Sequence, residues 1–158
     1  MPPVHGLRIE PDDPGRDDVR ALLTRHLDFA HEHSPPQDVH ALDLDGLRVR
    51  EVSFYSGRIE GELVVVGALK ELDTSHGELK SMHTAVEVRG RGAGRAMVEH
   101  LLTEARRRGY RRVSLETGST EPFVPARTLY ERAGFVECGP FADYELSDFS
   151  TFMTLELG

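Results

Sequence analysis

Residues 87–97, Glu-Val-Arg-Gly-Arg-Gly-Ala-Gly-Arg-Ala-Met (EVRGRGAGRAM), place four charged side chains and three glycines immediately before a helical pattern. A glycine turn that feeds a helix exposes backbone N–H groups having no intrahelical partner. Their dipoles favour a phosphate or pyrophosphate, and glycine lets such a ligand approach the backbone closely. Arg89, Arg91 and Arg95 add charge and directed donors. Spacing chooses among the motifs that use this physics. No Walker loop, G-x-x-x-x-G-K-[ST], is present. A dinucleotide fingerprint fails because Gly90 and Gly92 are followed by Arg95, and Gly92 and Gly94 by Met97. Glu116, at the end of the next strand, nevertheless mimics its ribose-binding acid. A third pattern, [Q/R]-x-x-G-x-[G/A], is met by Arg89 through Gly94.

Elements on either side of this stretch are legible from periodicity. Leu7–Glu10 alternates and predicts a strand. Asp17 and Asp18 precede a helix with Val19, Leu22, Leu23, Leu27 and Ala30 on one side, stopped by Ser34-Pro35-Pro36. A short helix is expected over 40–44. Residues 51–59 and 62–72 predict a hairpin around Gly61, and 78–85 another strand. The helix over 92–108 is the strongest signal, about 25 Å at ~1.5 Å per residue. It carries Ala93, Met97, Leu101 and Ala105 on its apolar stripe. A strand over 112–116, a helix over 125–133 and strands over 135–138 and 150–157 complete the order. This order predicts one α+β domain spanning 1–158, with a mixed, mostly antiparallel sheet flanked by helices on both faces.

Bulk properties narrow the function. The chain has 158 residues, 39% hydrophobic and 29% charged, a globular composition of single-domain size. Its net charge of −8 argues against general nucleic-acid binding, which depends on neutralising phosphates. An acidic body with arginines concentrated at 89–112 suits a small anionic ligand better than a polyanion. No apolar run is long enough to span a membrane, and the first residues lack the pattern of a signal peptide. The single cysteine, Cys138, excludes an internal disulfide and reads as buried strand filler. These features predict a cytoplasmic location. His31 and His33 form too small a set for a metal, so no metal is expected.

The segment ELKSMHTAVEVRGRGAGRAMVEHLLTEARRRGYRRVSLETG, followed by PARTLYERAGFVECG, resembles the GNAT superfamily of N-acetyltransferases over residues 51–158. Segments HSPP, ALKELD and ECGPF also resemble its small-molecule subgroup. The resemblance implies acetyl-coenzyme A as co-substrate, a small primary amine as acceptor, and a possible homodimer. It implies that the strand before the cradle splays from its neighbour and pairs with the pantetheine arm through Met82, His83 and Thr84. Pyrophosphate would then lie on the N–H groups of Arg91, Gly92, Ala93, Gly94 and Arg95, beside Arg89. Ala126 falls at a cofactor-contacting position, and Phe123 stands where the family often has asparagine.

Tyr130 matches a family tyrosine near the thiol, a position for a general acid, although Ala126, Leu129, Tyr130 and Ala133 also form a core stripe. Glu78 is the first candidate for general base or water anchor, with Glu116 and His83 in reserve. Simple alternation places Glu78, Lys80 and Met82 on one face. Ser34, Lys80 and Glu116 are candidate acceptor contacts. Competing readings are a non-catalytic acyl-coenzyme A binding module, acetylation of a protein N-terminus or lysine, and a nicotinamide oxidoreductase. The last needs a parallel sheet that the hairpin over 51–85 disfavours.

Overall fold

A computed structural model describes residues 5–40 and 42–158. Seven strands are β1 (Leu7–Pro11), β2 (Val52–Ile59), β3 (Glu62–Asp73), β4 (His76–Thr84), β5 (Arg112–Gly118), β6 (Val136–Cys138) and β7 (Ser150–Glu156). Four α-helices are α1 (Asp17–His33), α2 (Leu44–Leu47), α3 (Ala93–Arg107) and α4 (Val124–Arg132). The strands form one sheet in the order β1-β2-β3-β4-β5-β7-β6. Every pairing is antiparallel except β4 with β5.

The central strand explains the layering. Val64, Val65, Val66, Ala68 and Leu69 of β3 are all buried, so both faces of this strand are covered. Val65 and Leu69 pack with Met97, Val98 and Leu101 of α3 and with Tyr130 of α4. Val66 and Ala68 point the other way, into a cluster with Val19, Leu22 and Leu23 of α1 and Leu47 of α2. A strand's period of two separates the sets, and each fully buried Val or Leu contributes about 1.5–3 kcal/mol.

Polar contacts orient α1 over its face. The Arg58 guanidinium reaches Asp18 in the first turn at 2.6 Å and also Asp12 at 3.4 Å. The first of these hydrogen bonds is the leading influence holding the Asp18 carboxyl below its usual range. Acidic residues open α1 and histidines close it, matching the helix dipole.

Three expectations change. The short helix expected over 40–44 is displaced to Leu44–Leu47, where the Asp43 side chain accepts from the Gly46 N–H at 2.9 Å. A cap fixes a helix start more strongly than a few apolar residues do; Ala41 lies outside the described residues. Cys138 is half-buried on the edge strand β6, not sealed in the core. The alternation Glu78-Lys80-Met82 also breaks. Lys80 pairs with Ala68 but His83 with Val66, so β4 uses three steps where β3 uses two. This is a β-bulge, and Ser81 sits in it at φ 55°. Beyond the bulge His83, not Met82, shares the face of Lys80.

Gly67 lies under α3 where the helix packs on the sheet. A Cβ there would lie 2.8 Å from both Met82 Sδ and Met97 Cγ. Gly67→Val is expected to destabilise the protein by about 1–3 kcal/mol through overpacking. Urea unfolding measures this as a lowered midpoint.

Candidate active site

The parallel ladder of β4 and β5 runs from His76↔Arg112 to Leu79↔Leu115 and stops there, although both strands continue. Beyond the last rung a cleft of about 630 Å³ opens. Residues 78–84 of β4 line one side, Glu116, Thr117 and Gly118 of β5 another, with α1, the start of α3 and α4 completing the walls.

One end is built from backbone. Gly90 and Gly92 have φ of 83° and 90°, in the left-handed region that a side chain would strain. Gly92 is the N-cap of α3 and has no side chain to cap the helix, so the first N–H groups of α3 face the cleft unsupported. A side chain at Gly94 would be tight, since a Cβ would come within 3.2 Å of Thr84 Oγ1 and 3.3 Å of Leu129 Cδ2. Arg89 Nε donates to the Thr84 carbonyl at 3.2 Å, while Arg95 pairs with Glu99 at 2.9 Å. An uncapped helix start flanked by arginines and tight glycines fits a phosphate-bearing ligand.

The middle is lined by Met82, His83, Thr84, Ala126 and Tyr130. Tyr130 is 6% exposed and lies edge-on to Phe135, with ring centroids 6.0 Å apart. Burial first, and then the nearby Glu116 carboxylate, push the phenol well above its ordinary value. It therefore stays protonated and able to donate. His83 faces His26 of α1, Nδ1 to Nδ1 at 3.2 Å. Burial lowers His26 to about 4 and His83 to about 3, so the pair is neutral and shares one N–H between the rings.

The other end is polar on its floor. The Glu78 and Lys80 side chains are 3% and 7% exposed and form an ion pair at 3.2 Å. The Tyr144 hydroxyl donates to Glu78 Oε2 at 2.5 Å and accepts from Lys80 Nζ at 2.7 Å. Burial raises the Glu116 carboxyl to about 7, with the Ser150 hydroxyl and then Lys80 opposing the rise and the Glu78 and Asp38 carboxylates adding to it. Phe29 and Phe123 stack edge-on across the rim, with centroids 5.2 Å apart. The ring of Phe123 lies directly against the Gly118 backbone, where a Cβ would be 2.1 Å from it.

Nearly all the residues expected from sequence meet here. Glu78, Met82, His83, Thr84, Arg89, Gly92, Ala93, Gly94, Arg95, Ala126 and Tyr130 line the cleft, as do Ser34, Lys80 and Glu116. Arg91 is exposed and is not among the lining residues. Sequence reading missed His26, Asp38, Arg132 and Tyr144. His26 lies between the apolar helix positions, and Tyr144 sits in a connection without periodicity, so neither carried a local signal. No group of three or more His, Cys, Asp or Glu side chains is arranged to hold a metal among the described residues.

This arrangement of a splayed strand pair, a bulge and an uncapped helix start coincides with a match of residues 16–135 to the acetyltransferase (GNAT) family. The chain belongs to that family. It is 46% identical over 151 residues to the uncharacterized N-acetyltransferase YsnE of Bacillus subtilis, covering 96% of this chain and all of that one. YedL of Escherichia coli, likewise an uncharacterized N-acetyltransferase, is 42% identical, with 94% of each chain covered. The IAA acetyltransferase of Azospirillum brasilense is 32% identical, over 92% of this chain and 94% of the other. Among solved structures, a putative acyl-CoA N-acyltransferase from Klebsiella pneumoniae superposes with a TM-score of 0.78 at 27% identity, covering 96% and 98% of the two chains. This GNAT protein is therefore an acetyl-coenzyme A-dependent acyltransferase, built as an α+β fold on a mostly antiparallel sheet.

The buried histidine pair sets a pH dependence of stability. Both groups bind protons more weakly folded than unfolded, so stability is full above about pH 6.5 and is lost as pH falls toward the folded values. His26→Asn is expected to reduce the slope of unfolding free energy between pH 6 and 4.5 by up to about 1.4 kcal/mol per pH unit. Urea titrations of both proteins across that range measure the difference.

Proposed function

We propose that this chain acts as one catalytic domain that moves the acetyl group of acetyl-coenzyme A to a primary amine of a small molecule, by direct attack of the amine. The observation that carries this reading is a single cleft with a backbone cradle at one end and a carboxyl of near-neutral proton affinity at the other. An amine reaches the site as an ammonium, which has no lone pair for the thioester. Glu116 takes that proton, being poised near 7 where a base is effective at neutral pH. Glu78, the first candidate from sequence, is already engaged by Lys80 and Tyr144 and serves as an anchor.

Acetyl-coenzyme A supplies an activated acyl group. The α3 start and the β4 edge past the bulge hold it, and backbone N–H groups of that edge favour charge developing on the acyl oxygen. Nitrogen forms the new bond to the acyl carbon, the carbon–sulfur bond breaks, and the Tyr130 hydroxyl donates to the departing sulfur; the second proton shed by the nitrogen restores the Tyr130 hydroxyl, so that amide and free thiol leave and Glu116 returns its proton to solvent. Cys138 is absent from the lining of the cleft, which favours direct attack over an acylated enzyme. A small acceptor agrees with the narrow aromatic rim of Phe29 and Phe123, with the acidic body, and with the IAA-directed relative.

Thiol release across a panel of amines, amino acids and basic peptides tests the reading. Small amines are expected to be accepted; turnover confined to peptides would overturn that acceptor class, and no turnover with any acceptor would favour a binding module. Glu116→Gln is expected to lower kcat/KM by roughly 10²–10⁴-fold while keeping the rise in Tm caused by acetyl-coenzyme A. Gly92→Glu is expected to fold but lose that rise, because it blocks the cradle and adds a like charge. A folded Gly92→Glu protein with wild-type cofactor affinity would refute the cradle.

A further inference from the structure

The floor of the acceptor end carries more charge than one proton transfer requires. Glu78 pairs with Ser114 across the parallel ladder, so Glu78, Lys80, Ser114 and Glu116 all project from the same sheet face. Lys80 and Glu116 each lie one step past the last rung, Leu79↔Leu115. Burying two charges together costs several kcal/mol in desolvation per ion, and an apolar pair of similar volume often serves stability as well. A role for the Glu78–Lys80 pair beyond stability is therefore worth seeking in what it faces.

We propose that Glu78 and Lys80 are positioning residues for Glu116, a compensated ion pair whose two opposite fields hold that carboxyl ready to exchange a proton. Lys80 favours the charged form of Glu116, and Glu78 favours the neutral form. Tyr144 locks their geometry by donating to one partner and accepting from the other. Lys80 spends two of its three N–H donors on these contacts and still lines the cleft. In a partly dry site, such fields act more strongly than in water.

The Ser150 hydroxyl of β7 also favours the charged form of Glu116, by a larger effect than Lys80, and it is unchanged in every variant compared below. Asp38 approaches from the turn after α1 and adds a negative field weaker than that of Glu78. Tyr130 from α4 and Tyr144 from the 139–149 segment remain protonated. Phe152 of β7 is the residue paired with Glu116 and carries no charge. His26 and His83 are neutral at working pH.

This inference rests on Glu116 being the base, but its test does not require turnover. Carboxyl-carbon NMR of glutamate-labelled protein follows the titration of Glu116, assigned by the signal lost in Glu116→Gln. The wild-type midpoint is expected at about 7. Glu78→Gln should move it down by about one pH unit and Lys80→Met up by about as much, the size expected of a near charge. The double variant should return it close to wild type, and Lys80→Arg should leave it there. Single-variant midpoints that stay put, or that both move the same way as general loosening would make them, overturn the proposal. Should Lys80→Met fail to fold, Lys80→Gln removes the same charge and keeps a donor for Tyr144. Failure of the base reading is seen separately, as full turnover in Glu116→Gln.

Discussion

Parallel pairing of β4 and β5 lasts for four rungs and then ends at Leu79↔Leu115, while the strands run on to Thr84 and Gly118. Two strands that part leave backbone donors and acceptors without their usual partners, a costly state unless water or a ligand meets them. The cleft fills the gap, so the same divergence that weakens the sheet creates the site. Its stability is secured elsewhere. β3, covered on both faces, binds β4 from the other side, and α3 packs across the two strands through Met97, Val98 and Leu101.

A bulge at Ser81, in the pairing of β4 with β3, shapes the same strand. By inserting one residue, it keeps Lys80 and His83 on the α1 face and turns Met82 toward α3. One strand can thus present a polar floor at its start and a backbone edge at its end. The positive φ of Ser81 stores some strain at this point, as functional sites often do. Antiparallel pairing with β3 resumes on the far side at Val66↔His83 and Val65↔Thr84, which keeps the edge rigid.

Charge is divided along the cleft in a way that suits transfer between two unlike ligands. Arg89 and Arg95 line the cleft around the start of α3, whereas Glu78, Glu116 and Asp38 gather at its other end with Lys80 as the local counterion. The arginines stay charged at any working pH. Burial instead makes the carboxyl of Glu116 responsive near neutrality. On the proposed function, an anionic ligand and a cationic one would be drawn to opposite ends, with proton transfer where the opposing fields meet.

Much of this was readable in the linear chain because local rules govern it. Period two exposed β2 and β3, period 3.6 exposed α1 and α3, and the glycines at 90, 92 and 94 announced a backbone that must bend and approach closely. These patterns, together with the resemblance of residues 51–158, were enough for the fold. The acceptor end was different. Alternation put Met82 beside Lys80, because one inserted residue leaves no trace in hydrophobic order. Tyr144 reaches Glu78 across 66 positions of sequence, and His26 reaches His83 across 57, by way of loops and helix faces without periodicity. Glu116 differs from any other glutamate in the chain through burial and neighbours alone. Proton affinity is a property of surroundings, and those surroundings exist only once the sheet has closed.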